Sequence, residues 1–345
     1  MIKILRWILL PITLIYHVAI WVRNLLFDKG IFKSRSFTIP TIVIGNLAVG
    51  GTGKSPLTEY LIRLLKDKYA IATLSRGYGR NTRGFREVEI NSKSLEVGDE
   101  PLQFKTKFPE ITVAVDENRC EGIEYLQNRQ DVIILDDAFQ HRKLTPGFAI
   151  LLFDFQSLFK TILMLPTGDF RDVFSSTKRA DVIVITKSPN IIQEQEKKHI
   201  EQLIRKHSVA PIFYTKISYE SPKGLDGKSL NSPLTKLDIL LFCGIANPNP
   251  LIEHLVQQGN TIHTIIFPDH YNYSIKDLEK VKIKFSKIDS SKKIILTTEK
   301  DIQRINTDFF KDLPLFYIPI QLKFIEDGLP SFNSYINKYI ENKNN

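Results

Sequence analysis

Six short apolar runs recur between residues 40 and 187. They comprise residues 41–45, 70–75, 112–116, 131–137, 148–154 and 181–187, and Val, Ile and Leu predominate in most of them. Segments with the wider apolar spacing of helices lie between the runs. Strands that are apolar at nearly every position are typical of a sheet that is buried on both faces. The pattern therefore predicts an α/β domain with a parallel sheet covered by helices.

A second set of apolar runs follows the polar stretch 221–234, which contains Gly, Pro and Ser. Its members are residues 238–245, 261–267 and 293–298, and they predict a smaller α/β domain over 236–312. The similar segments 211–220 and 314–323 bracket this domain. We expect them to form two strands that pair as a hinge.

The N-terminal segment 7–22 is apolar, carries Trp7 and Trp21 near its two ends and has basic residues on both sides. It is shorter than the roughly 20 apolar residues of a membrane-spanning helix, and Pro11 and His17 interrupt it. No small-residue cleavage site follows, so we do not expect a signal peptide. We expect a membrane anchor that spans the bilayer or lies in one leaflet. The alternative is an amphipathic helix that packs on the core of the protein itself.

Together these patterns predict four parts of the chain. They are a membrane-anchoring helix at 1–27, a core domain at 28–220, the smaller domain at 236–312 as a lid, and at 313–345 a return strand and a C-terminal helix that packs on the core.

Composition and charge narrow the choice of partners. Hydrophobic residues make up 43% of the chain and charged residues 25%, as in soluble globular proteins, which argues against disorder and against a polytopic membrane protein. The net charge of +9 favours nucleic acid, anionic lipid or a phosphorylated substrate, without choosing among them. Cys120 and Cys243 stand far apart without neighbouring His. Neither a disulfide framework nor a zinc site is expected, and a reducing, cytoplasmic setting fits.

The first apolar run leads into the Gly-rich sequence AVGGTGKS at 48–55 and then into an amphipathic helical segment. This order is that of a P-loop, here with Ala48 where the first Gly is usual. We expect the loop N–H groups and the positive helix end to bind the β-phosphate of ATP. Lys54 would neutralise β- and γ-phosphate oxygens, and the Ser55 hydroxyl would bind Mg²⁺. The predicted nucleotide-binding residues are Ala48, Val49, Gly50, Gly51, Thr52, Gly53, Lys54 and Ser55.

A pair of carboxylates, Asp136 and Asp137, ends the apolar run 131–137. One or both should hold Mg²⁺, directly or through water, and the sequence does not decide which one touches the metal. With the P-loop, this pair predicts a P-loop NTPase-type core.

P-loops also occur in regulatory ATPases and GTPase switches, and two features argue against these classes. The deviant loop of regulatory ATPases has an extra Lys where this chain has Val49. The guanine-reading sequence Asn-Lys-x-Asp is matched only by Thr-Lys-Ser-Pro at 186–189, which has no acid. Phosphoryl transfer to a substrate is therefore favoured. A membrane-bound nucleotide sensor remains the second hypothesis, and labelled ATP would tell the two apart.

An ordered set of motifs resembles the tetraacyldisaccharide 4'-kinase (lipid A 4'-kinase) family of Gram-negative bacteria. The motifs are VIGNLAVGGTGKSP (43–56), LSRGYGR (74–80), VGDEP (97–101), LDDAFQHR (135–142), LPTGDFRD (165–172), RADVIVITK (179–187), FCGIANP (242–248), FPDHYNY (267–273) and TTEKD (297–301).

The resemblance implies transfer of the ATP γ-phosphoryl group to the 4'-hydroxyl of tetraacyldisaccharide 1-phosphate, giving lipid IVA. It also implies attachment to the cytoplasmic face of the bacterial inner membrane. The partners are then a lipid substrate and a membrane surface. Neither nucleic acid nor an obligate protein partner is expected.

The resemblance also assigns roles to individual residues. Asp99 of VGDEP, paired with His270 of FPDHYNY, is expected to receive the proton of the acceptor hydroxyl while orienting its oxygen. Arg171 fits charge stabilisation or a grip on the substrate phosphate, and Lys54 completes the catalytic set. The candidate substrate residues are Tyr78, Arg80 and Glu100. For all of these except Lys54, an ordinary loop position is the alternative. TTEKD is expected to form a strand-to-helix turn with Thr298 as N-cap, without chemistry.

Overall fold

The computed structural model describes residues 6–230, 233–269, 271–325 and 328–344. It divides into two compact units, one made of residues 1–217 and 322–345 and the other of residues 218–321. The second unit extends beyond the expected range 236–312 at both ends because two further strands belong to its sheet.

The first unit contains a nine-stranded sheet with helices on both faces. Its helices are α1 (Leu10–Asp28), α2 (Lys54–Leu65), α3 (Ser94–Val97), α4 (Asp99–Lys107), α5 (Arg119–Leu126), α6 (Glu194–Arg205) and α10 (Gly328–Asn344). Its strands are β1 (Thr41–Asn46), β2 (Ile71–Ser75), β3 (Arg86–Glu87), β4 (Thr112–Val115), β5 (Val132–Leu135), β6 (Phe148–Asp154), β7 (Val182–Thr186), β8 (Ile212–Tyr219) and β14 (Ile320–Phe324). Short 3-10 helices lie at Phe155–Phe159 and Phe174–Arg179.

The strand order is β14-β8-β7-β6-β1-β5-β2-β4-β3. From β8 to β4 neighbouring strands are parallel, and β3 is antiparallel to β4. All six apolar runs of the core prediction are strands, so the expected α/β class with a parallel sheet is confirmed.

Alternate residues of each central strand pack into different hydrophobic cores. In β1, Ile42 and Ile44 join the core that includes Leu57 of α2, whereas Val43 joins the core on the other face. Successive side chains of a strand point to opposite faces, so a sheet covered on both sides needs apolar residues at every position. The continuous apolar runs thus follow from the position of these strands in the middle of the sheet.

The segment 314–323, expected to be one strand, is two strands separated by Pro319. Leu315–Ile318 (β13) belongs to the sheet of the second unit, and β14 lies beside β8 in the nine-stranded sheet. Proline has no N–H and cannot donate to a strand ladder, which explains the break. The pairing expected for 211–220 therefore involves only the second half of the segment.

The second unit is a five-stranded sheet in the order β11-β10-β12-β13-β9. Its remaining elements are β9 (Lys223–Gly224), β10 (Asp238–Cys243), α7 (Asn249–Gln257), β11 (Thr261–Ile266), α8 (Ile275–Ser286), β12 (Lys293–Thr298), α9 (Glu299–Ile302) and a 3-10 helix at Thr307–Phe310. Strands β11, β10, β12 and β13 are parallel, and β9 is antiparallel to β13. Apolar clusters cover both faces of the sheet, as in the first unit.

Helix α1 packs along one face on the rest of the first unit. Thr13 donates to the Thr167 hydroxyl at 2.7 Å, the Tyr16 hydroxyl donates to the Arg171 carbonyl at 3.1 Å, and Asn24 is buried. The opposite face is apolar and exposed, with Ile12, Leu14, Ile15, Val18, Trp21, Val22 and Leu25 on this side or at its edges. Trp7 and Ile8, just before the helix, are exposed as well. By length and composition alone, α1 is apolar enough to cross a membrane.

Candidate active site

The segment from Asn46 to Lys54 connects the end of β1 to the start of α2. Gly53, immediately before the helix, has a φ of 83°, and Gly50 has a φ of 102°. Residues with a Cβ rarely adopt such angles, so these glycines permit the turn into the helix. The first N–H groups of a helix have no partner within it, and together with the helix dipole they attract anions. This geometry is that of a phosphate-binding loop.

Two neighbouring segments hold the loop backbone in place. The Thr186 hydroxyl, at the end of β7, donates to the Thr52 carbonyl at 2.8 Å. The Val49 N–H donates to the Asp169 carbonyl at 2.8 Å. A loop that is fixed before its ligand arrives loses less entropy on binding.

The carboxylate pair lies at the same edge of the sheet as the loop. Strand β5 is parallel to β1 and adjacent to it, so Asp136 and Asp137 follow β5 where the loop follows β1. Asp136 is buried and accepts a bond from the Thr58 hydroxyl of α2 at 3.4 Å. Asp137 has a φ of 49°, which turns the chain sharply after the strand.

Three polar side chains, those of Lys54, Arg171 and Asn46, lie around Asp137. Its Oδ1 lies 3.7 Å from the Lys54 ammonium and contacts the Arg171 guanidinium, whose Nη1 donates to Oδ2 at 3.2 Å. Asn46 Oδ1 accepts from Arg171 at 2.6 Å and from Lys54 at 3.4 Å. Burial alone would raise the pKa of Asp137, but Lys54 and Arg171 outweigh it and lower that pKa below its usual value. The loop lysine is thus held beside a carboxylate that stays ionised.

The loop serine faces another carboxylate. Its hydroxyl, Ser55 Oγ, donates to Glu100 Oε1 at 2.5 Å, and Glu100 is the second residue of α4. Within the described ranges no three His, Cys, Asp or Glu side chains are grouped so that they could hold a metal ion unaided. A P-loop site does not require such a group, because Mg²⁺ there takes the hydroxyl, phosphate oxygens and water, with carboxylates around them. Ser55, Glu100 and Asp136 have the oxygen chemistry for this arrangement.

Asp99 begins α4, and the residue before it packs against the loop that follows β2. A Cβ added to Gly98 would lie 3.1 Å from the Tyr78 carbonyl oxygen, so glycine is needed for this approach. Tyr78 is 79% exposed, so much of its side chain is accessible to solvent. The Arg80 side chain is only 4% exposed and forms an ion pair with Glu117. Arg80 therefore braces this loop and does not point into solvent.

A cavity of about 840 Å³ lies at the C-terminal end of α1. Its walls combine apolar and basic side chains, and they are formed by Arg23, Phe27, Ile31, Phe32, Lys33, Glu117, Asn118, Gln140, His141, Arg142 and Lys143. One wall residue reaches the phosphate loop, because Gln140 Nε2 donates to the Asn46 carbonyl at 2.5 Å. One lining residue of the cavity therefore contacts the first residue of the loop segment directly.

Comparison with known proteins now decides the family. The sequence profile described as "Tetraacyldisaccharide-1-P 4'-kinase" matches residues 5–341. The chain belongs to this family. Relatives named tetraacyldisaccharide 4'-kinase include one from Flavobacterium johnsoniae, 43% identical, covering 98% of this chain and 98% of the relative. Another, from Bacteroides thetaiotaomicron, is 40% identical and covers 100% of this chain and 96% of the relative.

A solved structure agrees. The crystal structure described as the "apo" form of LpxK from Aquifex aeolicus in complex with ATP matches with a TM-score of 0.77 and 28% identity, covering 97% of this chain and 99% of that one. The expected P-loop core and family are thereby confirmed. As a member of the tetraacyldisaccharide 4'-kinase family, the chain is an enzyme, a lipid kinase that uses ATP.

Several residues of this 4'-kinase site were not predicted from the sequence. Asn46 and Thr186 hold the loop from the ends of β1 and β7, and the only sequence signal for them is a polar residue that ends an apolar run. Arg119 is buried near the carboxylate pair. Burial lowers its pKa to about 10, while Asp137 and Asp136 act in the opposite direction.

The second unit contains the FPDHYNY and TTEKD motifs. His270 lies outside the described residues, so its pairing with Asp99 stays a prediction. The Thr298 hydroxyl accepts from the Asp301 N–H, which confirms the expected N-cap of α9. Asp301, buried completely, accepts bonds from the Tyr273 hydroxyl at 2.9 Å and the Gly244 N–H at 3.1 Å. Asp301 thus organises the loops after β10 and β11 of the kinase.

Proposed function

We propose that this member of the 4'-kinase family works on a lipid at a membrane surface, with α1 in the interface and the cavity beside α1 as the entrance for the substrate. The reaction of the family is ATP-dependent transfer of a phosphoryl group to the 4'-hydroxyl of tetraacyldisaccharide 1-phosphate, which gives lipid IVA in lipid A biosynthesis. The observation that carries the proposal is that α1 has an exposed apolar face and ends at a basic and apolar cavity, one lining residue of which, Gln140, is hydrogen-bonded to Asn46 beside the phosphate loop.

The two faces of α1 favour a helix that lies in one leaflet. Its polar residues Thr13, Tyr16 and Asn24 bond to the first unit over three turns, so this face is not available to lipid. The opposite face exposes large apolar side chains flanked by Trp7 and Trp21. Tryptophans near the ends of an apolar face are typical of helices at the headgroup level.

The cavity matches the chemistry of the substrate. Phe27, Ile31 and Phe32 offer apolar surface to acyl chains near the glucosamine rings, and the basic side chains of Arg23 and Lys33 offer charge to a phosphate. Basic groups next to a membrane also attract anionic lipid headgroups. Gln140, which lines the cavity, also donates to the Asn46 carbonyl at the start of the loop segment, and this contact supports the cavity as the entrance for the sugar.

The chemistry is a displacement at the γ-phosphorus of ATP. The 4'-oxygen forms a bond to phosphorus, the bond from phosphorus to the β,γ-bridging oxygen breaks, and ADP leaves with that electron pair. Asp99 orients the hydroxyl and receives its proton late, acting with His270. Lys54 and Arg171 exchange Asp137 for phosphoryl oxygens and stabilise the charge that develops there. Tyr78, exposed on the loop after β2, is the proposed contact for the acceptor.

Magnesium would be held by Ser55, with Asp136, Asp137 or Glu100 around it through water. It would supply charge neutralisation for the β- and γ-phosphates. The cytoplasmic face of the inner membrane is the proposed location, because ATP is the donor and is found on that side. Two buried free cysteines fit that reducing compartment.

Membrane attachment is tested with the full chain and vesicles of phosphatidylethanolamine and phosphatidylglycerol. The double variant Ile15→Glu with Val18→Glu places two charges on the exposed apolar face of α1. The matched control, Ile191→Glu with Val209→Glu, places the same charges at exposed apolar positions outside α1. We expect the α1 variant to lose about tenfold or more in vesicle binding, since each change replaces apolar burial by a charge, and the control to bind normally.

The reaction is tested with the same proteins, ATP labelled in the γ-phosphate, and tetraacyldisaccharide 1-phosphate in the vesicles. Label in lipid is expected for the wild type and the control, and reduced label for the α1 variant at unchanged ATP affinity. Full vesicle binding by the α1 variant would contradict the interfacial role of the helix. Label only in free phosphate would instead support the sensor hypothesis.

A further inference from the structure

A buried carboxylate lies between the phosphate-loop helix and the helix that carries Asp99. Glu59 of α2 is 2% exposed, and the proposed chemistry does not use it. Its Oε1 accepts from the Gln103 amide of α4 at 2.9 Å. Its Oε2 lies 2.7 Å from the Lys107 ammonium of α4 and 3.0 Å from Arg63 of its own helix. One side chain therefore binds donors on both helices.

These contacts continue a row that starts at the active site. Residues four apart on a helix share a face, so Ser55, Glu59 and Arg63 lie along one side of α2. On α4 the residues that face them, at positions 100, 103 and 107, have the matching spacing. The first contact of the row is the hydrogen bond from Ser55 to Glu100. Glu59 makes the next two contacts, with Gln103 and Lys107. The row runs from the phosphate loop along the interface of the two helices.

Stability alone does not account for a charge in this position. A buried ion pair costs desolvation, and apolar residues of similar size often serve a core as well or better. What hydrogen bonds provide is direction and register. If α4 moved by one residue along α2, it would shift by about 1.5 Å and turn by about 100°. Such a shift would move Asp99 and Glu100 away from the phosphate loop.

We propose that Glu59 is a positioning residue for phosphoryl transfer, which holds α4 in register on α2 so that its first two residues meet the loop correctly. The inference rests on the proposed role of Asp99. It gives Glu59 no contact with either substrate. Misplacing a reacting group by about 1 Å can cost about 100-fold in rate, so a residue one turn beyond Ser55 can control turnover in this way.

The test compares Glu59→Gln with Glu110→Gln. The first removes the buried charge at nearly constant shape. The second breaks the exposed ion pair of Glu110 with Lys66, which joins the far ends of the same two helical segments at 2.5 Å. We expect Glu59→Gln to lower kcat by about tenfold or more with KM for ATP within about threefold of wild type, because the loop itself is intact. Glu110→Gln should leave kcat unchanged.

A second variant separates position from folding. Glu59→Met with Lys107→Met replaces the buried pair by apolar side chains of similar length, and its Tm should be equal to or above that of the wild type. The inference requires kcat to remain low in this stable protein. Wild-type kcat in it, or in Glu59→Gln, would overturn the inference.

Asp99→Ala, measured beside these variants, distinguishes a failure of the positioning role of Glu59 from a failure of the proposed role of Asp99. If Asp99→Ala is impaired and the Glu59 variants are not, only the positioning role fails. If Asp99→Ala keeps wild-type kcat, the proposed function of Asp99 fails, and the inference fails with it. In the Asp99→Ala background, Glu59→Gln should cause a smaller fold loss in kcat than it causes alone, because one of the two carboxylates that it positions is gone. If the loss of kcat in the double variant equals the product of the two single losses, the inference is overturned.

Discussion

Lys54 Nζ lies 3.7 Å from Asp137 Oδ1, so the lysine of the phosphate loop is paired with a carboxylate. Arg171 contacts the same carboxylate. Two cations and one anion thus share a small, partly buried space. A nucleotide that enters must take Lys54 away from Asp137, and Mg²⁺ can then offset the carboxylate.

This ion pair predicts that replacing its two partners changes the affinity for ATP in opposite directions. In Asp137→Asn the positive charge of Lys54 and Arg171 is no longer balanced, so affinity for ATP without Mg²⁺ should rise by about threefold to tenfold. Turnover with Mg²⁺ should fall by about 100-fold or more. In Lys54→Ala, both affinity and turnover should fall. Titration calorimetry with and without Mg²⁺, and a lipid-labelling assay, measure these quantities. Weaker binding of Mg²⁺-free ATP by Asp137→Asn would contradict the charge argument.

Asp99 is expected to act on the acceptor and not on the nucleotide. Asp99→Ala should lower kcat by about 100-fold, within the usual range for a general base, and leave the Kd for ATP within about twofold of wild type. Asp67→Ala, an exposed carboxylate just after α2, is the control and should match wild type in both. Loss of nucleotide affinity in Asp99→Ala would refute the assignment.

Gly53 has a φ of 83° at the start of α2, and this angle is strained for any residue with a Cβ. Gly53→Ala should cost about 1–2 kcal/mol in the free energy of unfolding and reduce ATP affinity, because the loop N–H groups turn away from the phosphate. Gly227 of the second unit has a φ of 76° and open space around it. Gly227→Ala should show a similar loss of stability by urea denaturation, with normal ATP affinity. Equal ATP affinities in the two variants would show that strain at Gly53 does not change how the loop binds ATP.

His141 in the cavity wall should make stability depend on pH. Burial, followed by the charges of Arg119 and Lys143, lowers its pKa to about 4 from an ordinary value of 6.5. As pH falls, the unfolded chain therefore binds this proton before the folded chain does. The contribution of His141 to the free energy of unfolding is fully present above about pH 6.5 and is lost progressively down to about pH 4.

The variant His141→Gln removes this titration, so its free energy of unfolding should fall less steeply over the same interval. Urea denaturation between pH 4 and pH 7 measures the slope. His17→Gln, which removes an exposed imidazole, is the matched control. Identical slopes for His141→Gln and wild type would rule out His141 as the source of the acid sensitivity.

The strands of the core were predictable because burial on both faces leaves a continuous apolar run, as in β1 and β6. The phosphate loop was predictable because its glycines serve a local backbone need. The break at Pro319 could have been predicted as well, since a residue without an N–H interrupts a strand ladder wherever it occurs.

The partners of individual side chains were not predictable from local sequence. Arg80 has the setting of a substrate-binding loop residue, yet it is buried against Glu117, 37 residues further along the chain. Nothing near Ser55 in sequence indicates Glu100, and nothing near Asp137 indicates Arg171. These pairs depend on which strand ends are neighbours in the sheet, and strand order is a property of the whole chain.

The peptide unit of Arg171 has a consequence for any shortened version of the enzyme. Its N–H donates to the Leu47 carbonyl at the start of the phosphate loop, and its carbonyl accepts from Tyr16 of α1. A protein cut before residue 29 would lose that second bond and expose Thr167 and Asp172 as well. Such a protein would differ from the full-length enzyme in more than its solubility, because the peptide unit that supports the start of the phosphate loop would have lost its own hydrogen bond to α1.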